Sequence, residues 1–188
     1  KLQGPMFAVG HECGDARTGV LTTPSGELKT PGMLIRTSRG LPVNLTPDHL
    51  AMLRPDGQAL YLCALQYMDN PKPEAVQAGG GLHKFLGMEG YTLVMGLRDS
   101  VTFECGVRNA SRKDVVVNTP QGNTKVTPEA YVDLAAALQP DILLALADEM
   151  VAESISGKRA RTQVDNTLGY LDAMLARKAA AGLRAAVL

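Results

Sequence analysis

Apolar positions in the last third of the chain recur at helical spacing. Tyr131, Leu134 and Leu138 share one face behind Thr127-Pro128-Glu129. That tripeptide is a helix start. Thr can cap, Pro suits the first helical position, and the acid favours the positive end of the dipole. Pro140 ends this helix, and Asp141-Ile-Leu-Leu-Ala-Leu146 reads as a buried strand. A longer helix is predicted from about Lys158 to Ala180. Val164, Leu168, Leu171 and Leu175, spaced four, three and four, form its apolar face, which should turn to the core. Gly182 terminates it, and Arg184-Ala-Ala-Val-Leu188 reads as the opening of another buried strand. Strand, helix, strand in that order is a βαβ unit, with parallel pairing and a right-handed crossover.

Upstream, Leu60–Leu65 and Thr92–Leu97 are apolar runs of buried-strand length. Thr46-Pro47-Asp48 starts a short helix through Leu50 and Leu53. Val115–Val117 and Thr124–Val126 form a hairpin across Gln121-Gly122-Asn123. The first third is punctuated by Gly10, Gly14, Gly19, Pro24-Ser25-Gly26 and Pro31-Gly32. Met6–Val9, Arg17–Leu21 and Met33–Arg36 between them read as antiparallel strands. Gly79-Gly80-Gly81 reads as a mobile loop. The predicted class is α/β: the N-terminal part of a (β/α)8 TIM barrel carrying inserted antiparallel β structure. Residues 1–188 form one domain portion, with a β-rich opening over about 1–45 and barrel units over about 46–188. A complete barrel takes roughly 250 residues. The chain begins at Lys1 and stops on a strand, so a fragment of a longer protein is expected.

Composition narrows the function classes. Apolar residues are 45% of the 188, enough for a core. Nineteen basic and nineteen acidic side chains cancel, which argues against nucleic-acid binding by bulk charge and leaves a local basic face open. No apolar run approaches ~18 residues, so no transmembrane helix is expected. The three cysteines, Cys13, Cys63 and Cys105, are far apart and include no Cys-x-x-Cys pair. A disulfide framework or a self-contained zinc knuckle does not fit them, whereas a reducing compartment does.

Barrel chemistry sits at the carboxyl ends of strands. Asp99 follows the strand ending at Leu97, and Asp148 and Glu149 follow the strand ending at Leu146. These acids suit a nucleophile, a general base or base recognition; the ordinary alternative is solvated loop acids or helix caps. His11, His49 and His83 read as a turn residue, a first-turn helix residue and a partly buried polar neighbour. Lys158, Arg159 and Arg161 cluster at a helix start, where positive charge opposes the dipole. Phosphate binding, pairing with an acid on a neighbouring loop, and a plain solvated face all account for them. Arg108, Arg112 and Lys113 form a second basic stretch. Aromatics are only 4%, so no stacking platform for single strands is present. No GxGxxG, Walker A or Gly-x-Ser-x-Gly motif occurs.

Several short segments, taken in order, resemble the accessory branch of the tRNA-guanine transglycosylase family. They are Pro31–Thr37, Asn44–Thr46, Leu82–Met88, Leu97–Asp99, Ala137–Asp141, Leu146–Asp148, Ser156–Arg161 with Asp165, and Leu171-Asp172. The resemblance implies a (β/α) barrel with inserted β structure, of which this chain covers about the N-terminal half. It implies a non-catalytic subunit of a queuine-inserting complex, in which guanine at the wobble position of certain tRNAs is exchanged for queuine. The implied partners are a catalytic subunit in a heterodimer and tRNA, with a homodimer left open. Lys158, Arg159 and Arg161 are the candidate contacts to tRNA or partner. Catalytic members carry Asp-Ser-Gly-Gly-Phe; here the matching stretch is Asp99-Ser100-Val101-Thr102-Phe103. The β-branched pair replaces glycines that let substrate approach the backbone. Catalytic members also carry a Phe-Asp-Glu strand end that helps to recognise the base, matched here by Ala147-Asp148-Glu149. The competing reading is an active transglycosylase with Asp99 as nucleophile. The family's zinc site, Cys-x-Cys-x-x-Cys with a later His, has no counterpart here, so zinc ligands are expected beyond Leu188. A cytoplasmic setting, peripheral to the mitochondrial outer membrane, is the implied location.

Overall fold

A computed structural model describes residues 7–54, 56–68, 70–99, 101, 110–119, 122–149 and 155–188. Three antiparallel strands open the chain: β1 (Phe7–Cys13), β2 (Ala16–Thr23) and β3 (Gly26–Thr30). At Gly19 β1 and β2 approach closely. A Cβ there would lie 2.5 Å from the Ala8 carbonyl oxygen and from the Phe7 ring. Next come β4 (Leu34–Ser38), β5 (Leu41–Pro42), α1 (Pro47–Met52) and β6 (Ala59–Cys63). After a 3-10 turn over Ala64–Tyr67 follow α2 (Pro73–Ala78), α3 (Leu82–Leu86) and β7 (Thr92–Gly96). The hairpin β8 (Val115–Thr119) and β9 (Gly122–Val126) precedes α4 (Pro128–Leu138), β10 (Ile142–Leu143), α5 (Gly157–Ala181) and β11 (Ala186–Val187).

The main sheet has the order β11-β10-β7-β6-β4-β5. β4, β6, β7, β10 and β11 run parallel, each beside its predecessor; only β5 is antiparallel, against β4. Right-handed crossovers between parallel strands in serial order place the connecting helices on one side of a sheet. Accordingly, α4 packs on both α2 and α5. The core lies between sheet and helices. Leu60, Leu62, Leu93, Met95 and Leu143 from the strands meet Val76, Tyr131, Leu138, Tyr170 and Met174 from the helices, and Val115, Val117 and Val126 seal it from the hairpin. No helix among the described residues is long and apolar enough to cross a membrane.

Four expectations are corrected. The run at Met33–Arg36 is not part of the antiparallel opening. β4 is the first parallel strand, with Ile35 opposite Leu60. Gly79–Gly81 is a hydrogen-bonded turn, its three amides donating to carbonyls of Ala75, Gln77 and Val76. Positive φ at Gly80 and Gly81 explains the choice of residue. The third correction concerns α5. Val164, Leu168 and Leu175 are exposed, at 58, 55 and 46%, whereas Asn166, Tyr170 and Met174 are buried. The predicted stripe lies roughly 120° round the helix from the buried one, at 100° per residue. Arg177 reaches Asp133 of α4, so the apolar stripe faces away from α4. The strand at 141–146 is also shorter than predicted, although Leu144 still donates to the Met95 carbonyl.

Candidate functional site at the carboxyl ends of the strands

Each candidate acid lies beyond the carboxyl end of its strand, Asp99 after β7 and Asp148 and Glu149 after β10, and each meets a basic side chain from the same chain. Arg36 on β4 turns its guanidinium towards the residue that follows β7. Its Nε donates to Asp99 Oδ1 at 2.6 Å, and its Nη2 donates to Oδ2. This is the two-pronged geometry in which a guanidinium fork matches both carboxylate oxygens. The Val101 amide adds a third donor to Oδ1, at 3.1 Å. The Asp99 side chain is 11% exposed. The Asp99 carboxylate in turn holds the Arg36 guanidinium above its ordinary range.

Asp148 is enclosed more completely, with a fully buried side chain. Arg159 Nη2 donates to Oδ1 at 2.7 Å, and Asn166 Nδ2 donates to Oδ2 at 2.8 Å. Gln163 Nε2 donates to the Asp148 carbonyl, and the Asp148 amide donates to Thr167 Oγ1. Residues 159, 163, 166 and 167 lie on one face of α5, which explains the burial of that polar face. Ser156 caps the helix by accepting from the Arg159 amide. Glu149 remains exposed and meets Arg98 Nη1 at 3.2 Å.

The basic cluster therefore divides. Arg159 takes the acid-pairing role, while Lys158 and Arg161 stay exposed. Arg112 and Lys113 are exposed in the turn before β8; Arg108, Cys105, Ser100, Thr102 and Phe103 lie outside the described residues. Cys63 is buried and donates weakly to the Leu97 carbonyl, and Cys13 is exposed. His11 is exposed on β1, and His49 meets Thr46 Oγ1 in the first turn of α1. Among the described residues no group of three His, Cys, Asp or Glu side chains could hold a metal.

Sequence reasoning missed Arg36. Its signal was a lone cation closing an apolar strand, which calls for a carboxylate opposite. It also missed a cluster at the amino ends of the strands. Ser25, at the β2–β3 tip, donates to Asp141 Oδ1 at 2.7 Å, and His83 Nε2 lies 3.0 Å from Oδ2. The same nitrogen meets Ser25 Oγ at 2.9 Å and the Tyr91 carbonyl at 3.2 Å. A serine–histidine–aspartate relay needs serine on one ring nitrogen and the acid on the other. Here both meet Nε2, so the cluster fastens the hairpin tip to the sheet. It borders a cavity of about 570 Å³.

Fold and site together define an α/β protein that pairs two of its own carboxylates, Asp99 and Asp148, with arginines at the carboxyl end of a parallel sheet. The family model described as queuine tRNA-ribosyltransferase matches residues 12–187, and the chain belongs to that family. It is 30% identical over 172 residues to a queuine tRNA-ribosyltransferase accessory subunit 2 from Gallus gallus, covering 87% of this chain and 40% of that protein. The protein of the same name from Trichoplax adhaerens is 30% identical, with 85% and 43% covered. A queuine tRNA-ribosyltransferase from Thermus thermophilus is 29% identical, with 92% and 44% covered. The chain thus spans about two fifths of the length of these curated relatives.

Proposed function

We propose that this chain serves as a non-catalytic subunit of a queuine tRNA-ribosyltransferase. It would pair with a catalytic subunit that exchanges guanine for queuine at the wobble position of tRNA. The observation that carries this reading is the pair of arginine clamps. A nucleophilic carboxylate directs an oxygen lone pair at the reacting carbon, and a two-pronged ion pair fixes the carboxylate in another direction and lowers its nucleophilicity. Both oxygens of Asp99 are engaged by Arg36, and both oxygens of Asp148 by Arg159 and Asn166. The bulk of Val101 beside Asp99 supports the same reading. So does the name shared by the Gallus and Trichoplax relatives. The serial parallel order of the main sheet supports part of a (β/α)8 barrel rather than a doubly wound sheet. No donor set among the described residues fits zinc, and no step here runs through a metal.

The test is release of labelled guanine from tRNA. The protein alone should release none. With a catalytic subunit present, exchange should proceed and Asp99→Asn should leave its rate unchanged. Exchange by the protein alone, abolished by Asp99→Asn, would establish the competing reading of Asp99 as nucleophile. Lys158 and Arg161 are the proposed contacts to tRNA phosphates. Their joint replacement by Glu should flatten the dependence of log K on log salt by about 2, one for each phosphate contact. An unchanged slope and unchanged partner affinity would remove both residues from the interface.

A further inference from the structure

The carboxyl end of the sheet holds a second, smaller cavity of about 100 Å³, which Tyr61, Gly96, Arg98, Ala147 and Glu149 help to line. Sites for small organic ligands run to roughly 300–1,000 Å³. The largest side chain in its lining is Tyr61. Leu60 and Leu62 on β6 enter the core on the helix side, so the alternation of the strand sends Tyr61 to the other face. Tyr61 lies directly opposite Val94 and leans diagonally towards the carboxyl end. Its hydroxyl donates to the Arg98 carbonyl at 2.6 Å. The ring then occupies the space above Gly96. A Cβ at that position would lie 2.1 Å from the phenol oxygen and 2.8 Å from Cζ. Gly96 has no positive φ, so the phenol, not the backbone, is what requires glycine.

We infer that Tyr61 is a plug, a specificity-determining residue filling the volume that a planar, purine-like base would need at this end of the sheet. The inference rests on the reading of the chain as the family's non-catalytic subunit and adds a cause for its silence. The rim of the cavity indicates the class of ligand excluded. At the rim Arg98 Nη1 donates to Glu149 Oε2 at 3.2 Å, so a base entering here would exchange that contact for its own, N–H donors towards the carboxylate and a carbonyl towards the guanidinium, the pattern a guanine edge presents.

The experiment is equilibrium dialysis of labelled guanine against the intact protein, beside the tRNA guanine-release assay. Tyr61→Ala should hold guanine at least about tenfold more tightly than wild type. Tyr61→Phe keeps the ring and should behave as wild type. A folded Tyr61→Ala protein that binds no better than wild type overturns the plug. So does wild-type binding as tight as that of Tyr61→Ala. A second readout guards against poor folding of that variant. Gly96→Ala should lower Tm by about 8 °C or more in the wild type. In the Tyr61→Ala background it should cost less than half of that. Equal losses in both backgrounds place the ring elsewhere and overturn the plug. If wild type alone releases guanine from tRNA, the non-catalytic reading itself fails; if it is silent and Tyr61→Ala does not bind, only the plug fails.

Discussion

Arg159 and Asp148 form a pair in which only the arginine reaches water. Breaking such a pair from one side leaves a charge stranded in a poor solvent for it. Arg159→Ala should therefore cost about 3 kcal/mol in urea-induced unfolding, more than the loss of an exposed ion pair such as Arg177–Asp133, which should stay within ~1 kcal/mol. Tyr67 offers the opposite sign. It is 1% exposed, and its hydroxyl has no hydrogen-bond partner among the described residues. Tyr67→Phe removes a desolvated polar group and keeps the ring, so it should be neutral or stabilising by up to about 1 kcal/mol. A loss above 1 kcal/mol would reveal a partner for the hydroxyl. At this scale the sequence indicated the acids well, since each follows an apolar run. It could not name their partners. Arg36 and Asp99 are 63 residues apart, and no local spacing encodes that distance.

Helix α5 shows where periodicity stops being informative. Its length and its terminating glycine were legible, because a glycine stop acts within a turn; the Ser156 cap was not read from the sequence. Nor was its inward face. Two stripes at the same spacing run along it, one apolar through Val164, Leu168 and Leu175, one mixed through Arg159, Asn166, Tyr170 and Met174. The mixed stripe faces inward because it supplies the donors that a buried Asp148 requires, and Tyr170 donates to the Asp114 carbonyl on the way to β8. Substitutions should follow that orientation. In this chain Leu168→Gln should change stability by less than about 0.5 kcal/mol, as exposed positions do. Asn166→Leu adds apolar surface yet removes a donor from Asp148 Oδ2, and should cost about 1–3 kcal/mol. The reverse ranking in chemical denaturation would put the apolar stripe inside.

Across the whole molecule, four tyrosines should make stability fall at alkaline pH. Burial pushes Tyr61 and Tyr170 up to about 12, and Tyr67 and Tyr131 are raised as well. An unfolded tyrosine ionises near 10. The folded state holds its phenol protons more tightly, so their contribution is complete below pH ~10 and is lost as pH rises towards 12. The urea midpoint should fall across that window, together with the rise of phenolate absorbance. Phenolate formation well below the loss of structure would contradict the burial. The α/β class and the last βαβ unit were legible, since strand and helix periods differ. The placement of β4 was not, because a five-residue strand reads alike in a parallel or an antiparallel partnership. Serial order also governs assembly in time. During synthesis each new parallel strand finds its neighbour already made, and the sheet can grow at one edge. The β2–β3 tip is the exception. Ser25 must wait for Asp141, made 116 residues later. A hairpin made early is thus fastened late, and its anchorage registers that the chain has been made as far as the start of β10.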